Sequence, residues 1–431
     1  MGRKVQLVSV IYLLAWLLCP PLQYGVLFRA LALGSCAIWL LSQYLVAKKI
    51  RLSSGNLLWR YGTYYLIAMV AYILGDLAMQ LIFSETDLGT IFYNNLQVYI
   101  LLMIGFIGTQ YVAEERWEDV KVAVIAIVLF CVVFSLTAIF RGEQYLAVTR
   151  EAGGESKFSE TVLREAASRG IGGFGFFCFT SILAPVLLYV VKTIKMGRKT
   201  KFATVIAMII CEIGVISAGY TLALLISVMG FTLLAFFTAK SGITRFICIA
   251  LLVVVIFFGS QFMEAIYNLL LSISADSLYE NKVKDIFSYL IDGESEGTFA
   301  SRSDRYLLSF ESIFKYPIFG SLFFDGKKVI GYHSSILDTV AAFGWGIGFC
   351  WIYVITIYHS QVMKHCGVKR GVRFSIVLLI FLTGLFNRLV MTVGALYFLL
   401  PFIAHYSKEG KANASIVDNV QYNGKRRAVF R

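Results

Sequence analysis

Twelve long apolar runs, separated by polar links, dictate what this chain can become. They lie at about 5–20, 24–47, 61–83, 91–113, 121–140, 170–191, 202–219, 221–239, 246–264, 334–356, 374–387 and 390–406. Roughly 20 residues of helix match the hydrocarbon thickness of a bilayer. Inside lipid every backbone N–H and C=O must be bonded within the protein, so a span is a helix or part of a closed barrel. Barrel strands alternate in polarity over about ten residues; these runs do not. The expected fold is an all-α polytopic membrane protein with about twelve transmembrane helices. The opening MGRKVQLVSVIYLLAWLLCPP imitates a signal peptide, but no small-residue cleavage site follows it, and it reads as a retained first span.

Composition agrees. Hydrophobic residues make up 58% of the 431 and charged residues only 15%, where soluble domains average about 25% charged. Mean hydropathy is +0.74. Aromatics reach 15%, led by 35 Phe and 24 Tyr, as suits lipid contact and interfacial belts. Disordered, collagen-like and disulfide-scaffold chains are excluded. The eight cysteines fall mostly inside apolar runs and outside both long polar segments, so no disulfide framework is expected.

A net charge of +13 raises nucleic acid as a partner, but the placement of the charges answers it. With the N-terminus in the cytoplasm, most of the 39 basic residues fall in inside links, among them Lys48, Lys49, Arg116, Lys199, Lys201, Arg370 and Arg373. That is the positive-inside pattern. Both termini are therefore expected in the cytoplasm, and the end of the basic tail 407–431, at 425–431, could rest on anionic lipid. Nucleic acid is rejected.

Four regions follow: 1–264 with nine spans and an outer segment at 141–169, a large outer loop at 265–333, three spans over 334–406, and the tail. A loop of about 70 residues in a compact protein is usually functional or disordered, and the apolar runs SYLI, YLLSFESIF and FGSLFF argue against disorder. Tyr306, Phe310, Ile313 and Phe314 recur on one face of a helix, which predicts an interfacial helix with that face down. Gly297 and Ser301–Ser303 break the pattern before it, which sets Arg302 and Arg305 at its N-terminal end. Cations there oppose the helix dipole. Free N–H groups plus two guanidinium forks form an anion site; headgroup contact is the alternative, and Asp304 is placed to pair with either arginine. His333 stands alone on the outer face, before a helix that Ser335 would cap with Asp338 in its first turn. It reads either as an interfacial histidine bonded to a carbonyl or as a proton acceptor. No metal-ligand spacing accompanies it.

The order R-x-x-R-Y…S-x-x-x-x-F-x-x-P-I-x-G…G-x-H-S-x-x-L-D-x-x-A-x-x-G resembles the outer loop of the O-antigen ligase and polymerase superfamily (Wzy/WaaL-like), closest to the repeat-unit polymerases of capsule and exopolysaccharide pathways. The positions are Arg302, Arg305, Ser309, Phe314, Pro317, Gly320, Gly331, His333, Asp338 and Gly344. The resemblance implies a GT-C-like architecture and inverting, metal-independent glycosyl transfer without a cofactor. The site would lie on the outer face of the bacterial cytoplasmic membrane. Its substrates would be glycans on undecaprenyl diphosphate, and its partners membrane lipid, a flippase and a chain-length regulator. Arg302 and Arg305 would hold the diphosphate, and His333 would deprotonate or orient the attacking hydroxyl. Many ligase relatives carry a serine-arginine-glycine step where this chain has SAGYTLALL, with Tyr220 in place of the arginine. Arg169, Arg388 and, more weakly, Arg29 are the substitutes.

Two intramembrane acids, Asp76 and Glu212, raise the rival reading of a proton-coupled transporter or lipid-linked oligosaccharide flippase. Partners across helices would account for both. The Arg/Arg/His order and the lack of a visible internal repeat favour the enzyme, and a non-catalytic export scaffold comes third.

Overall fold

In a computed structural model of the chain, each of the twelve apolar runs contains helix in its described part. The structure describes residues 2–23, 25–47, 57–83, 88–151, 164–218, 220–257, 298–324, 329–386 and 391–407. Among the described residues there is no strand. Seven helices are long and apolar enough, by length and composition, to cross a membrane: Val26–Leu45, Leu57–Ile82, Asn95–Ala113, Trp117–Phe140, Phe174–Thr193, Arg198–Ala218 and Ser335–His365. Leu222–Thr238 and Val393–Ser407 are apolar but shorter. The end of the ninth run and the first part of the outer loop, 258–297, and the tail from 408 lie outside the described residues.

Packing follows the chain in neighbouring pairs: Gly2–Leu18 on Val26–Ala47, Leu57–Phe83 on Leu88–Ala113, and Phe174–Thr193 on both Arg198–Ala218 and Thr221–Thr238. Leu27, Leu41, Ile67, Leu74, Leu129 and Ile209 point outward, an apolar exterior suited to lipid. At one end, polar side chains lock four helices. Gln6 donates to Gln43 at 2.7 Å, Gln43 donates to Glu114, and Arg116 donates to Gln6 at 2.6 Å. Arg116 also pairs with Asp119 at 2.7 Å and lies over the Tyr111 ring at 4.1 Å.

Two boundaries differ from expectation. Trp117–Glu151 continues helical well into the segment assigned to an outer link. The run at 334–356 continues as helix to His365, through a π-helical turn at Tyr353–Ile357, so His359 and His365 do not sit in a loop. Polar residues after Ile357 dilute the hydropathy without ending the helix, and His359 is fully buried with its ring 4.5 Å from that of Tyr397.

The same long helix is broken once. At Gly344 φ is 73° and ψ 179°, so the helical bond pattern is interrupted there. The N–H of Trp345 instead donates to the carbonyl of Pro317 at 2.8 Å. Gly320 meets the break from the other side, also with positive φ (74°). A Cβ on Gly344 would stand 2.1 Å from Ile318 O, and one on Gly320 would stand 2.2 Å from Ala342 O. The loop thus docks backbone to backbone, where only glycine fits. Gly344→Ala is expected to cost more than about 1 kcal/mol and lower the unfolding midpoint of detergent-purified protein. Gly346→Ala, with open space at its Cβ, should leave the midpoint unchanged or raise it.

Candidate functional site

The described part of the loop helix runs from Thr298 to Lys315. Ser301–Ser303 do not delay it, so Arg305 lies two turns in, beyond the free N–H groups of the first turn. The helix-terminus contribution to anion binding therefore falls away at Arg305, and its own guanidinium remains. The Arg302 side chain lies outside the described residues.

The apolar face is also divided differently. Ser309, Ser312 and Ile313 are buried and Tyr306 is half-buried, while Phe310 and Phe314 are exposed. Serines can face inward because each finds partners. Ser312 Oγ donates to Val329 O at 2.7 Å. Ser309 Oγ donates to Asp338 Oδ1 at 2.6 Å and accepts from the Gly331 N–H at 2.9 Å. A Cβ on Gly331 would fall 1.9 Å from Arg305 O, so the backbone at 331 rides directly on the helix.

Ser334, rather than Ser335, caps the following helix. Its Oγ accepts from Leu337 N at 3.0 Å and donates to Gly384 O at 3.2 Å. Asp338 Oδ2 accepts from the Ser334 N–H at 2.7 Å. The Asp338 carboxylate therefore receives one bond from the loop helix and one from the loop itself. Gly331 and Ser334 are both pinned, and the two residues between them, Tyr332 and His333, are presented outward. Tyr332 has φ of 57°, which a non-glycine residue rarely adopts; such strain, about 1–3 kcal/mol, is held only by its surroundings.

On this perch His333 is half-buried and reaches exposed Arg305. Arg305 Nη1 and His333 Nε2 are 3.3 Å apart. A guanidinium can only donate, so as a hydrogen bond the contact needs the lone pair on Nε2 and leaves the ring proton on Nδ1, a neutral imidazole. The Tyr306 ring lies 6.4 Å from His333, and its hydroxyl donates to Phe386 O at 2.5 Å. Tyr306 and Ser334 thus donate to two carbonyls in the last described turn of Arg370–Phe386 and tie that helix to the loop. Sequence reasoning placed Tyr306 on a lipid face and missed this role; nothing in helical periodicity marks a docking hydroxyl.

Arg305, His333 and Asp338 therefore gather in one place, with Asp338 behind the loop rather than at its mouth. Asp304 is exposed, and no ion pair among the described residues includes it. Arg169 pairs with Glu165 at 2.7 Å, one turn earlier. Tyr220 packs on Phe174 and Phe177 at 5.3 and 5.8 Å. Arg388 lies outside the described residues. Of the intramembrane acids, Asp76 accepts from Tyr99 at 2.5 Å and from Gln80 at 2.6 Å, and Glu212 accepts from Ser227 at 2.6 Å. Both have partners, Glu212 and Ser227 across two helices.

Fold and site together define an all-helical chain of polytopic membrane type, with a polar Arg–His perch built where three helices meet. No protein-family model matches the chain, and no curated protein matches it with significant similarity.

Asp338→Asn keeps the shape but can accept only one of the two bonds. The expected cost is about 1–3 kcal/mol, read as a lower unfolding midpoint in detergent, and Ser309→Ala should fall in the same range. Additivity of the two in the double variant would contradict a shared network.

Proposed function

We propose that this protein is a glycosyltransferase acting on lipid-linked glycans: a polysaccharide repeat-unit polymerase of the outer face of a bacterial cytoplasmic membrane. It would have about twelve spans and both termini in the cytoplasm. The observation that carries the reading is the Arg305–His333 contact on a rigidly held, outward-facing loop. A fixed imidazole with a free-standing cation beside it suits transfer from a sugar diphosphate. The resemblance of the surrounding motif to the ligase and polymerase superfamily supplies the substrate class, undecaprenyl-diphosphate-linked oligosaccharide.

The chemistry needs little more. In an inverting displacement the acceptor hydroxyl oxygen bonds to the donor anomeric carbon as the bond from that carbon to the phosphate oxygen breaks. The diphosphate leaves with the electron pair, and the hydroxyl proton passes to His333 Nε2. Arg305 Nη1 covers that lone pair. A diphosphate offers it shorter, charge-assisted bonds, and turning toward the phosphate would uncover Nε2 for the hydroxyl. Donor binding and base activation are thereby coupled. Charge stabilisation and positioning then supply most of the acceleration, because a diphosphate already leaves well. Metal and cofactor play no part in this scheme. A flippase that delivers the repeat and a chain-length regulator are the expected partners.

A deletion strain should accumulate a single lipid-linked repeat unit and no polymer on a gel. Finished polymer left unattached to its final acceptor would instead mean a ligase. Complementation with His333→Ala should polymerise about 100-fold more slowly or worse, the usual scale for losing a general base. Arg305→Ala should abolish polymer at normal membrane levels of protein, with partial return in Arg305→Lys; normal long chains in Arg305→Ala would refute the diphosphate assignment.

A further inference from the structure

Beyond its packing face, the loop helix carries two more edges. At 3.6 residues per turn, Leu307, Phe310 and Phe314 share one edge and Asp304, Glu311 and Lys315 the next, all of them exposed. The apolar edge does not stop with the helix. Ile318 is 71% exposed, Phe319 56% and Phe323 43%. The rings touch in two groups, Phe310 on Phe314 at 4.9 Å in the helix and, after it, Phe319 on Phe323 at 5.3 Å with Phe323 on Phe324 at 4.8 Å. Four or more half-exposed aromatics amount to several hundred Å², on the order of the largest patch a soluble monomer tolerates.

We propose that this surface, from Leu307 to Phe324, is a wedge embedded in the acyl chains of the adjoining bilayer leaflet. Two observations select lipid as the occupant. First, the wedge is continuous with a membrane-spanning helix: the Trp345 N–H is bonded to Pro317 O, and Trp345 and Phe349 of that helix are themselves outward-facing, at 52% and 54% exposure. Second, a charged edge borders the apolar one along the helix, the arrangement of a helix lying in the plane of an interface. A second copy of the chain would need no such ordering of water-side and lipid-side edges.

The wedge fixes a depth. Arg305 projects from the opposite side of the same helix, in the sector between Ser312 and Ser309, so embedding Phe310 and Phe314 would hold its guanidinium and the neighbouring His333 about one helix diameter above the wedge, near the lipid phosphates. The benefit to a lipid-borne diphosphate rests on the function proposed above; the depth itself does not.

Cysteine scanning with nitroxide labels tests it. All eight native cysteines are buried or half-buried, which favours labelling at introduced sites. Phe314→Cys, Phe319→Cys, Phe323→Cys and Glu311→Cys are each labelled and reconstituted at one copy per phospholipid nanodisc. At the three wedge positions, relaxation by oxygen should exceed relaxation by a water-soluble nickel chelate, with the order reversed at Glu311→Cys. Chelate access at the wedge positions equal to that at Glu311→Cys would overturn the proposal. So would shielding from both reagents, with spin–spin broadening that grows with the number of copies per disc, which would mean an interface between copies. The measurement repeated with His333→Ala should give the same depths. Correct depth with intact polymer synthesis in His333→Ala would sink the chemistry and leave the wedge standing.

Discussion

Every backbone amide in a bilayer must find its partner inside the protein, and this requirement governs where the chain departs from helix as well as where it does not. Helix satisfies the long runs outright. The interesting backbone is therefore at the exceptions, and three of them show how the groups are paired. The helix break at Gly344 leaves the Trp345 N–H to Pro317 O. The extended stretch before Ser335 gives its N–H groups at Gly331 and Ser334 to Ser309 and Asp338. The last described turn of Arg370–Phe386 receives hydroxyls from Tyr306 and Ser334. Arg305 and His333 come together because these bonds converge at one place.

Sequence reading succeeded where the physics is one-dimensional. Apolar length alone identifies helical runs, because hydrocarbon leaves no other way to bond the backbone. It failed where a polar side chain is buried by being satisfied. Ser309 and Ser312 look like solvent-facing residues, yet both are buried, since Asp338, Gly331 and Val329 supply their partners. Counting apolar positions therefore rotated the loop helix, grouping Ile313 with Phe310 although one is buried and the other exposed. The doublet Ser334-Ser335 offers two caps one residue apart, and only the bond to Leu337 N distinguishes them. The run at 334–356 ended too early because Tyr358, His359, Ser360 and Gln361 lower local hydropathy while the helix simply continues.

The candidate site was legible in part and for a different reason. Resemblance to a loop motif named Arg305, His333 and Asp338 together, 28 and 33 positions from end to end being far beyond any local spacing rule. Several other motif positions prove to be structural. Gly320 and Gly344 allow two backbones to touch, Gly331 lets the loop ride on the helix, and Ser309 bonds Asp338. Such positions resemble a catalytic signature in sequence because a perch of this kind needs all of them.

The site also divides into a stiff part and a loose part, and the division bears on which group a ligand would move. Bonds from Ser309, Asp338 and Ser334, all buried or half-buried, fix the backbone on both sides of His333. Moving the His333 backbone would mean breaking several of them together and releasing the left-handed Tyr332. Arg305 is exposed and holds His333 through a single 3.3 Å contact, at the long end of hydrogen-bond range. An incoming anion competes against that one weak bond and against solvent. The long arginine side chain therefore yields first, and the loop that carries His333 stays in place.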